Sequence, residues 1–558
     1  MSDARVPAGG HAIPKACDGD HRAAVADAFA RVREQHRALA GTAIAGLVNG
    51  DPARFADFAV TMEDVLYDFS KTKLDREAKA RLIELAETAD LPGYVAAMFA
   101  GAPVNVTEGR AAGHLALRRD PDGIRAGGDR ERVLAFADGV RAGHITGAGG
   151  DAITDVVHIG IGGSHRGPAM ALRALARFHD GPRVHFLANA CGTDLTDILG
   201  TCVPEQTLVI VCSKTFTTRE TMMNARSVRR WLAGALGGEG ARAHLAAVTA
   251  DPGAAAAFGV PEERVFPMPG DVSGRYAIWG AVGLPVMLAL GSQRFRAFLR
   301  GGAAMDAHLR TAPIARNLPM MLALVGVWHV SARGHGTRAI LPYHQRLAAF
   351  PDYVQQMDME SNGKTTHVDG VSPAHDSAPV VWGDVGTSAQ HSFFQMLHQG
   401  ARQAPCEFLV TAEAEPRDAG EHRDMRLANC LAQARALMIG RDHAATVAAL
   451  QGEGMTREAA EALAPHRTFP GDRPSTVLVF GELEPYSLGR LMALYEHRAI
   501  LEGALWGVNP FDQWGVEIGK GLADSLSSAV RDGLDGADPS THGLLAWCRA
   551  VKRGGEGS

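Results

Sequence analysis

Two short segments carry the residue types that hold a phosphate. The first follows the apolar run 156–159 and consists of Gly160, Gly162, Gly163 and Ser164, with Pro168 at the opening of the next helix. Glycines let a backbone approach a ligand closely and take positive φ. A helix start presents unpaired N–H groups and a partial positive charge, and Ser164 adds a hydroxyl. The segment lacks the Gly-Lys-Ser/Thr closure of a nucleotide P-loop, and His165 breaks the spacing of a dinucleotide fingerprint. Taken alone it also reads as a tight strand-to-helix turn with no ligand. The second segment follows the run 208–212. Ser213, Thr215, Thr217, Thr218 and Thr221 place five hydroxyls within nine residues, with Lys214 among them. Such hydroxyls surround a phosphate, or cap a helix. Two segments of this kind in one region point to a small substrate that ends in a phosphate.

The elements that must position these groups are legible as a pattern. From about 153 to 290, short β-branched runs (184–187, 208–212) alternate with helical stretches (169–178, 221–232). The alternation returns later with the runs 338–341, 380–382, 407–410 and 476–480, and with a helical stretch at 389–399. This is the signature of α/β architecture with mainly parallel sheets covered on both faces. Residues 22–100 read as helical, with Asp51 and Pro52 as a helix start. The expected layout is a helical N-terminal part of a large domain (1–122), a small domain (123–289), the remainder of the large domain (290–511) and a helical C-terminal arm (512–558) that frays from Lys552 onward.

Composition narrows the classes. Among 558 residues, 46% are apolar and 21% charged, with a net charge of -6, and no basic run supports a nucleic-acid partner. The uncharged stretches 277–291 and 317–332 are shorter than the ~20 residues of a membrane span and read as buried core helices. The seven cysteines (17, 191, 202, 212, 406, 430 and 548) show no CxxC pair, which fits buried free thiols. The N-terminal stretch, broken by Pro7, Gly9, Gly10 and Pro14, has no apolar secretory core. A cytoplasmic protein is the expectation, without a nucleic-acid or membrane partner.

With these two segments, four later motifs resemble those of the glucose-6-phosphate isomerase (phosphoglucose isomerase) family. They are the loop Ser273, Gly274, Arg275, Tyr276; the glutamate segment with Gln355, Gln356, Glu360 and Gly363; the histidine segment Thr387 to His391; and the C-terminal segment with Gln513, Glu517 and Lys520. The N-terminal Asp68 to Lys71 and Asn105 to Arg110 fit as well, and the likeness runs from about 35 to 530. The resemblance implies two SIS-type three-layer αβα sandwich domains and a homodimer. It also implies interconversion of glucose 6-phosphate and fructose 6-phosphate without metal or organic cofactor.

Aldose–ketose isomerisation moves a proton between adjacent carbons through an enediolate. Glu360 is the candidate base; Met357 and Met359 beside it suggest a partly desolvated carboxylate. Arg275 offers a permanent charge for the enediolate, and Gly274 gives close backbone access. Gln513, Glu517 and Lys520 at i, i+4, i+7 read as one helical face, with Lys520 toward the ring oxygen or a hydroxyl and Gln513 toward the phosphate. His391 reads as the start of a helix, with His398 seven residues on; this pair makes a poor metal site. The resemblance implies ring opening by His391 with Lys520, and a His391 contributed across the dimer interface. By analogy Glu220 orients His391, and Gln356 joins Gly163, Ser164, Ser213, Lys214, Thr215, Thr218, Thr221 and Gly274 in holding the substrate.

Several positions depart from the family pattern: His165, Arg166, Cys191, Arg219, Met357, Ser388 and Ala389. None removes a candidate catalytic group. Arg166 and Arg219 add positive charge near the phosphate segments.

Overall fold

The computed structural model describes residues 19–122, 128–372, 376–413, 420–532 and 538–555. Cys17, the Pro/Gly-broken N-terminal stretch and residues 556–558 lie outside this set. The chain falls into two compact units, one reaching Phe511 and one from Asp512 onward.

The first unit holds two sheets. The smaller is built from β3 (Asp155–Ile159), β4 (Arg183–Leu187), β5 (Thr207–Cys212), β6 (Leu245–Thr249) and β7 (Val265–Pro267), in the order β4-β3-β5-β6-β7, all parallel. Alternate residues face opposite sides of a strand, and here both sides are apolar. Val156, Leu208, Ile210, Ala246 and Val248 belong to one core, whereas Val157, Ile159, Val209, Val211 and Ala247 belong to another. Helices therefore cover both faces, as parallel sheets require.

The larger sheet contains β1 (Ala59–Met62), β2 (Val65–Asp68), β8 (Thr337–Pro342), β9 (Val380–Gly383), β10 (Cys406–Thr411) and β11 (Ser475–Phe480), in the order β1-β2-β11-β10-β8-β9. Strands β8 to β11 are parallel, and β1 and β2 are antiparallel. Its faces divide in the same way: Ile340, Leu409 and Leu478 lie in one core, and Leu341, Phe408 and Val477 in another. The α/β class with mainly parallel sheets is thus as expected, and every run read as a strand is one.

Four local expectations are corrected. Residues 22–100 are not all helical. The β1–β2 hairpin turns at Glu63, which takes φ +52°, and β2 pairs with the distant β11. Asp51 and Pro52 make a turn rather than a long helix; Asp51 Oδ1 accepts the Ala53 N–H, and only Arg54–Asp57 is helical beyond it. The stretch 389–399 breaks into Gly386–Gln390 and Phe394–Gln399. At the break Phe393 packs edge-on against Trp382 while Phe394 enters the core. In the second unit the helix Pro539–Gly555 runs into the segment expected to fray.

The apolar stretches at 277–291 and 317–332 are buried, centred on the helices Leu284–Leu290 and Leu318–Val327. Among the described residues no helix is long and apolar enough to cross a membrane. Of the described cysteines, Cys202, Cys212, Cys406 and Cys430 are buried, and Cys191 and Cys548 are exposed.

Candidate active site

In the small sheet the chain leaves β3 toward β4 on one side and resumes at β5 on the other. The carboxyl ends of β3 and β5 therefore flank a topological switch point, where open α/β sheets bind ligands. Both hydroxyl- and glycine-bearing segments emerge there. Gly162 takes φ +60°, which favours glycine. His158, buried on β3, bonds the Ser164 carbonyl through Nε2 at 2.8 Å and so holds the turn from beneath. Burial pushes the His158 pKa down to about 4, so it is neutral near pH 7.

After β5, Ser213 is buried with its Oγ 3.1 Å from Thr218 Oγ1, and Thr217 Oγ1 donates to Thr215 Oγ1 at 2.7 Å. Phe216 between them takes φ +53°, an uncommon conformation for a non-glycine residue, while its ring is buried edge-on against Phe258. Thr221 is buried in the first turn of the helix Arg219–Ala243, and its Oγ1 has no hydrogen-bond partner. Lys214 is turned elsewhere: Nζ donates to the carbonyls of Gly270 at 2.7 Å and Val272 at 3.1 Å. It ties the β5 loop to the loop that carries Arg275.

That second loop meets the glycine turn backbone to backbone. A Cβ placed on Gly163 would lie 2.0 Å from the Gly274 carbonyl carbon and 2.3 Å from the Arg275 nitrogen. Gly163 is thus required by close approach, whereas a Cβ on Gly274 would meet Gly163 only at 3.6 Å, an ordinary contact. Arg275 is buried; Nε donates to Ser361 Oγ at 2.7 Å and Nη2 to the Pro510 carbonyl at 2.6 Å. Tyr276 OH shares the same two partners, at 2.9 and 3.0 Å. The remaining Arg275 nitrogen, Nη1, stands 3.8 Å from Glu360 Oε1.

Glu360 lies in the last turn of the helix Phe350–Asn362 and is about one-quarter exposed (26%). Its Oε2 accepts from Gln356 Nε2 at 2.7 Å, one helical turn earlier. The same Gln356 nitrogen is 3.4 Å from a Cβ placed on Gly162. Gly162, Gln356, Glu360, Arg275, Gly274 and Gly163 therefore form a closed ring of neighbours. Asp358 anchors the helix in the core, accepting from Arg338 at 3.0 Å and Arg498 at 2.5 Å. These arginines also engage Glu407 and Glu502, all within the buried interior. Met357 is fully buried there, whereas Met359 is exposed.

Other expected residues fall as follows. His391 is exposed in the turn between the two short helices, not at a helix start. Its preceding Gln390 donates to Tyr343 OH at 2.8 Å. Among the described residues, no hydrogen bond or ion pair joins Glu220 to His391 within one chain. In the second unit, Gln513 precedes a short 3-10 turn with φ -153° and is not on the helix face expected for it. Lys520 and Glu517 lie on the helix Glu517–Asp532, paired at 2.7 Å and exposed. Arg166 reaches the Asp352 carbonyl at 3.5 Å, at the start of the glutamate helix. Sequence reasoning missed His158, Ser361, Tyr276 and the Pro510 carbonyl as supports; the last three act through partners far away in the chain, and His158 acts on the Ser164 carbonyl six residues on, which its place in an apolar run does not signal.

A carboxylate held on one oxygen, with the other facing a buried guanidinium, can take a proton from carbon while the cation steadies the resulting oxyanion. The glycine turn alongside can take an anion.

Comparison with known proteins places the chain in a family. Residues 68–545 match the family model of phosphoglucose isomerase. A glucose-6-phosphate isomerase of Brucella ovis is 49% identical over 517 residues, covering 90% of this chain and 94% of that protein. The crystal structure of a glucose-6-phosphate isomerase from Chlamydia trachomatis superposes with a TM-score of 0.79 at 29% identity, over 94% of this chain and 99% of that one. A hypothetical protein from Thermus thermophilus shares the fold, with a TM-score of 0.60 at 24% identity, over 81% of this chain and 97% of that one. The chain is therefore an α/β enzyme of the isomerase class. Within that class it belongs to the phosphoglucose isomerase family.

Proposed function

We propose that this enzyme interconverts glucose 6-phosphate and fructose 6-phosphate in the cytoplasm, serving glycolysis and gluconeogenesis. The observation that carries the reading is the Glu360–Arg275 pair, joined through Gln356 to the glycine turn. The phosphate is held by Gly163, Ser164, Ser213, Thr215, Thr218 and Thr221. Lys214 keeps its two carbonyl bonds and aligns the Arg275 loop. Glu360 Oε1 takes the proton from C2 of the open-chain aldose and returns it to C1, and Arg275 stabilises the cis-enediolate between these steps. Gln356 and Gly274 line the sugar.

Ring opening falls to His391 and Lys520, with Gln513 near the phosphate. In this reading the active form is a homodimer, and His391 reaches the site of the partner subunit with Glu220 fixing its tautomer. An exposed position in a turn suits a group that crosses an interface. The chemistry moves only protons, so it calls for no redox cofactor.

The test is conversion of fructose 6-phosphate in chelator-treated buffer by the wild type and by Glu360→Gln. The amide keeps the shape and the Gln356 neighbour but cannot act as a base. The expected result is a loss of kcat of about 10²–10⁴-fold with little change in binding. Turnover retained by the variant would remove Glu360 from this role.

A further inference from the structure

We propose that Asp155, His185 and Cys202 bind one soft divalent transition cation, of which zinc is the reference ion. The site lies at the end of the small sheet opposite the glycine turn. Asp155 opens β3 and Ser164 follows its far end, so the strand separates the two sites by roughly 16 Å.

The sheet register builds the cluster. Asp155 pairs with Arg183 of β4 on one side and with Thr207 of β5 on the other. His185 is two residues beyond Arg183 and so projects on the same face, diagonal to Asp155. Cys202 lies in the connection between the helix Gly192–Gly200 and β5. A carboxylate oxygen, an imidazole nitrogen and a thiol sulfur from three separate segments thereby come within 4.8 Å of one another.

The carboxylate is divided between two tasks. Its Oδ2 accepts from Arg183 Nη2 at 2.9 Å and from Thr154 Oγ1 at 2.8 Å. Its Oδ1 faces His185 Nε2 at 2.8 Å. Arg183 and Thr154 therefore fix the plane of the carboxylate and leave Oδ1 for the shared centre, the kind of outer support that orients metal ligands. Asp155 and Cys202 are buried, whereas the His185 side chain is 21% exposed and provides the way in.

The surroundings already favour positive charge at that centre. Asp155 Oδ1, 2.8 Å from His185 Nε2, shares a proton with that ring. A cation replaces the proton held there, which leaves to solvent, and the Cys202 proton leaves with it. One nitrogen, one sulfur and one oxygen are a zinc-type donor set, whereas calcium and magnesium take oxygen. Three protein donors leave a fourth position for water. The neighbouring Arg183 charge opposes the ion and so sets an upper limit on its affinity.

The experiment uses the full chain, stripped by chelator and titrated with Co²⁺ as a spectroscopic probe. The expected result is one equivalent bound, with a near-ultraviolet thiolate-to-metal band and the visible bands of a tetrahedral ion, both removed by Zn²⁺. Cys202→Ser abolishes the near-ultraviolet band, Cys191→Ser and Cys548→Ser retain it, and His185→Gln weakens binding by about tenfold or more. Arg183→Gln tightens it. A band that survives Cys202→Ser, or no saturable binding by the wild type, overturns the proposal. Should Cys202→Ser lose its fold, alkylation of wild-type Cys202 followed by peptide mapping decides the matter. One equivalent of Zn²⁺ must protect that thiol, and failure to protect it also overturns the proposal. None of these readouts depends on isomerase turnover.

Discussion

Gly163→Ala is the sharpest test of how the site is assembled. The new methyl carbon would sit 2.0 Å from the Gly274 carbonyl carbon, 2.3 Å from its oxygen and 2.3 Å from the Arg275 nitrogen. Ordinary contact begins near 3.4 Å, so the two loops must part by about 1.4 Å. The atoms in the way are backbone, which cannot swing aside as a side chain does. Arg275 is carried on one of these loops and the proposed phosphate cradle on the other, so in the proposed reading the separation moves the cation relative to the substrate. A displacement of ~1 Å in a reacting geometry costs about 10²-fold in rate, or about 2.7 kcal/mol of barrier. The assay is steady-state isomerase kinetics at 25 °C beside a thermal melt, since overpacking also destabilises by about 1–3 kcal/mol. Gly192→Ala is the control, because a methyl there meets open space. A kcat/KM for Gly163→Ala within threefold of wild type would refute the reasoning, by showing that the contact between the loops does not set the position of Arg275.

Three further outcomes are expected. Arg275→Lys keeps a charge but cannot serve Ser361, Pro510 and Glu360 together, so kcat should fall by about 10²–10³-fold; a loss below fivefold would contradict that. His158 titrates near 4 when folded against about 6.5 when unfolded, so the unfolded chain takes up its proton first. Its contribution is intact above pH 6.5 and is lost as the pH falls toward 4, by about 3 kcal/mol in all. Denaturant unfolding of the wild type and His158→Gln should therefore converge by that amount between pH 7 and 4, and parallel curves would exclude it. Burial pushes the thiols of Cys212, Cys406 and Cys430 up to about 12, so a disulfide reagent should label Cys191 and Cys548 in the native protein and those three only on unfolding; rapid native labelling of any of the three would show that the cores are open.

Much of the fold was legible because apolar runs of fixed length report buried parallel strands directly; Thr207–Cys212 and Ser475–Phe480 needed no tertiary information. The β1–β2 hairpin was hidden because its stability depends on pairing with β11, about four hundred residues away. The break at His391 was hidden because no glycine or proline lies between residues 387 and 399 to signal it. The glycine turn was legible by residue type and spacing, Glu360 and Arg275 through the family resemblance, and the structure brings them together. The direction of Lys214 was not. A lysine among hydroxyls reads as a phosphate ligand, and only the arrival of the 270–272 carbonyls gives it another partner. Gln513 was misplaced because the helical wheel was drawn from Gln513, whereas the α-helix begins four residues later, at Glu517.

The buried cluster beneath Glu360 has a consequence for the history of this sequence. Arg338 and Arg498 share Asp358 and Glu407, and Arg338 also holds Glu502, so each side chain is acceptable only while the others are present. Removing either arginine strands carboxylate charge in the interior at a cost of about 3–5 kcal/mol, a large share of a domain's margin. Substitutions at these five positions are therefore coupled, and a lineage can exchange them only as a group or through a stabilised ancestor. The ground under the glutamate evolves as one locus, while the exposed helices around it remain free to drift.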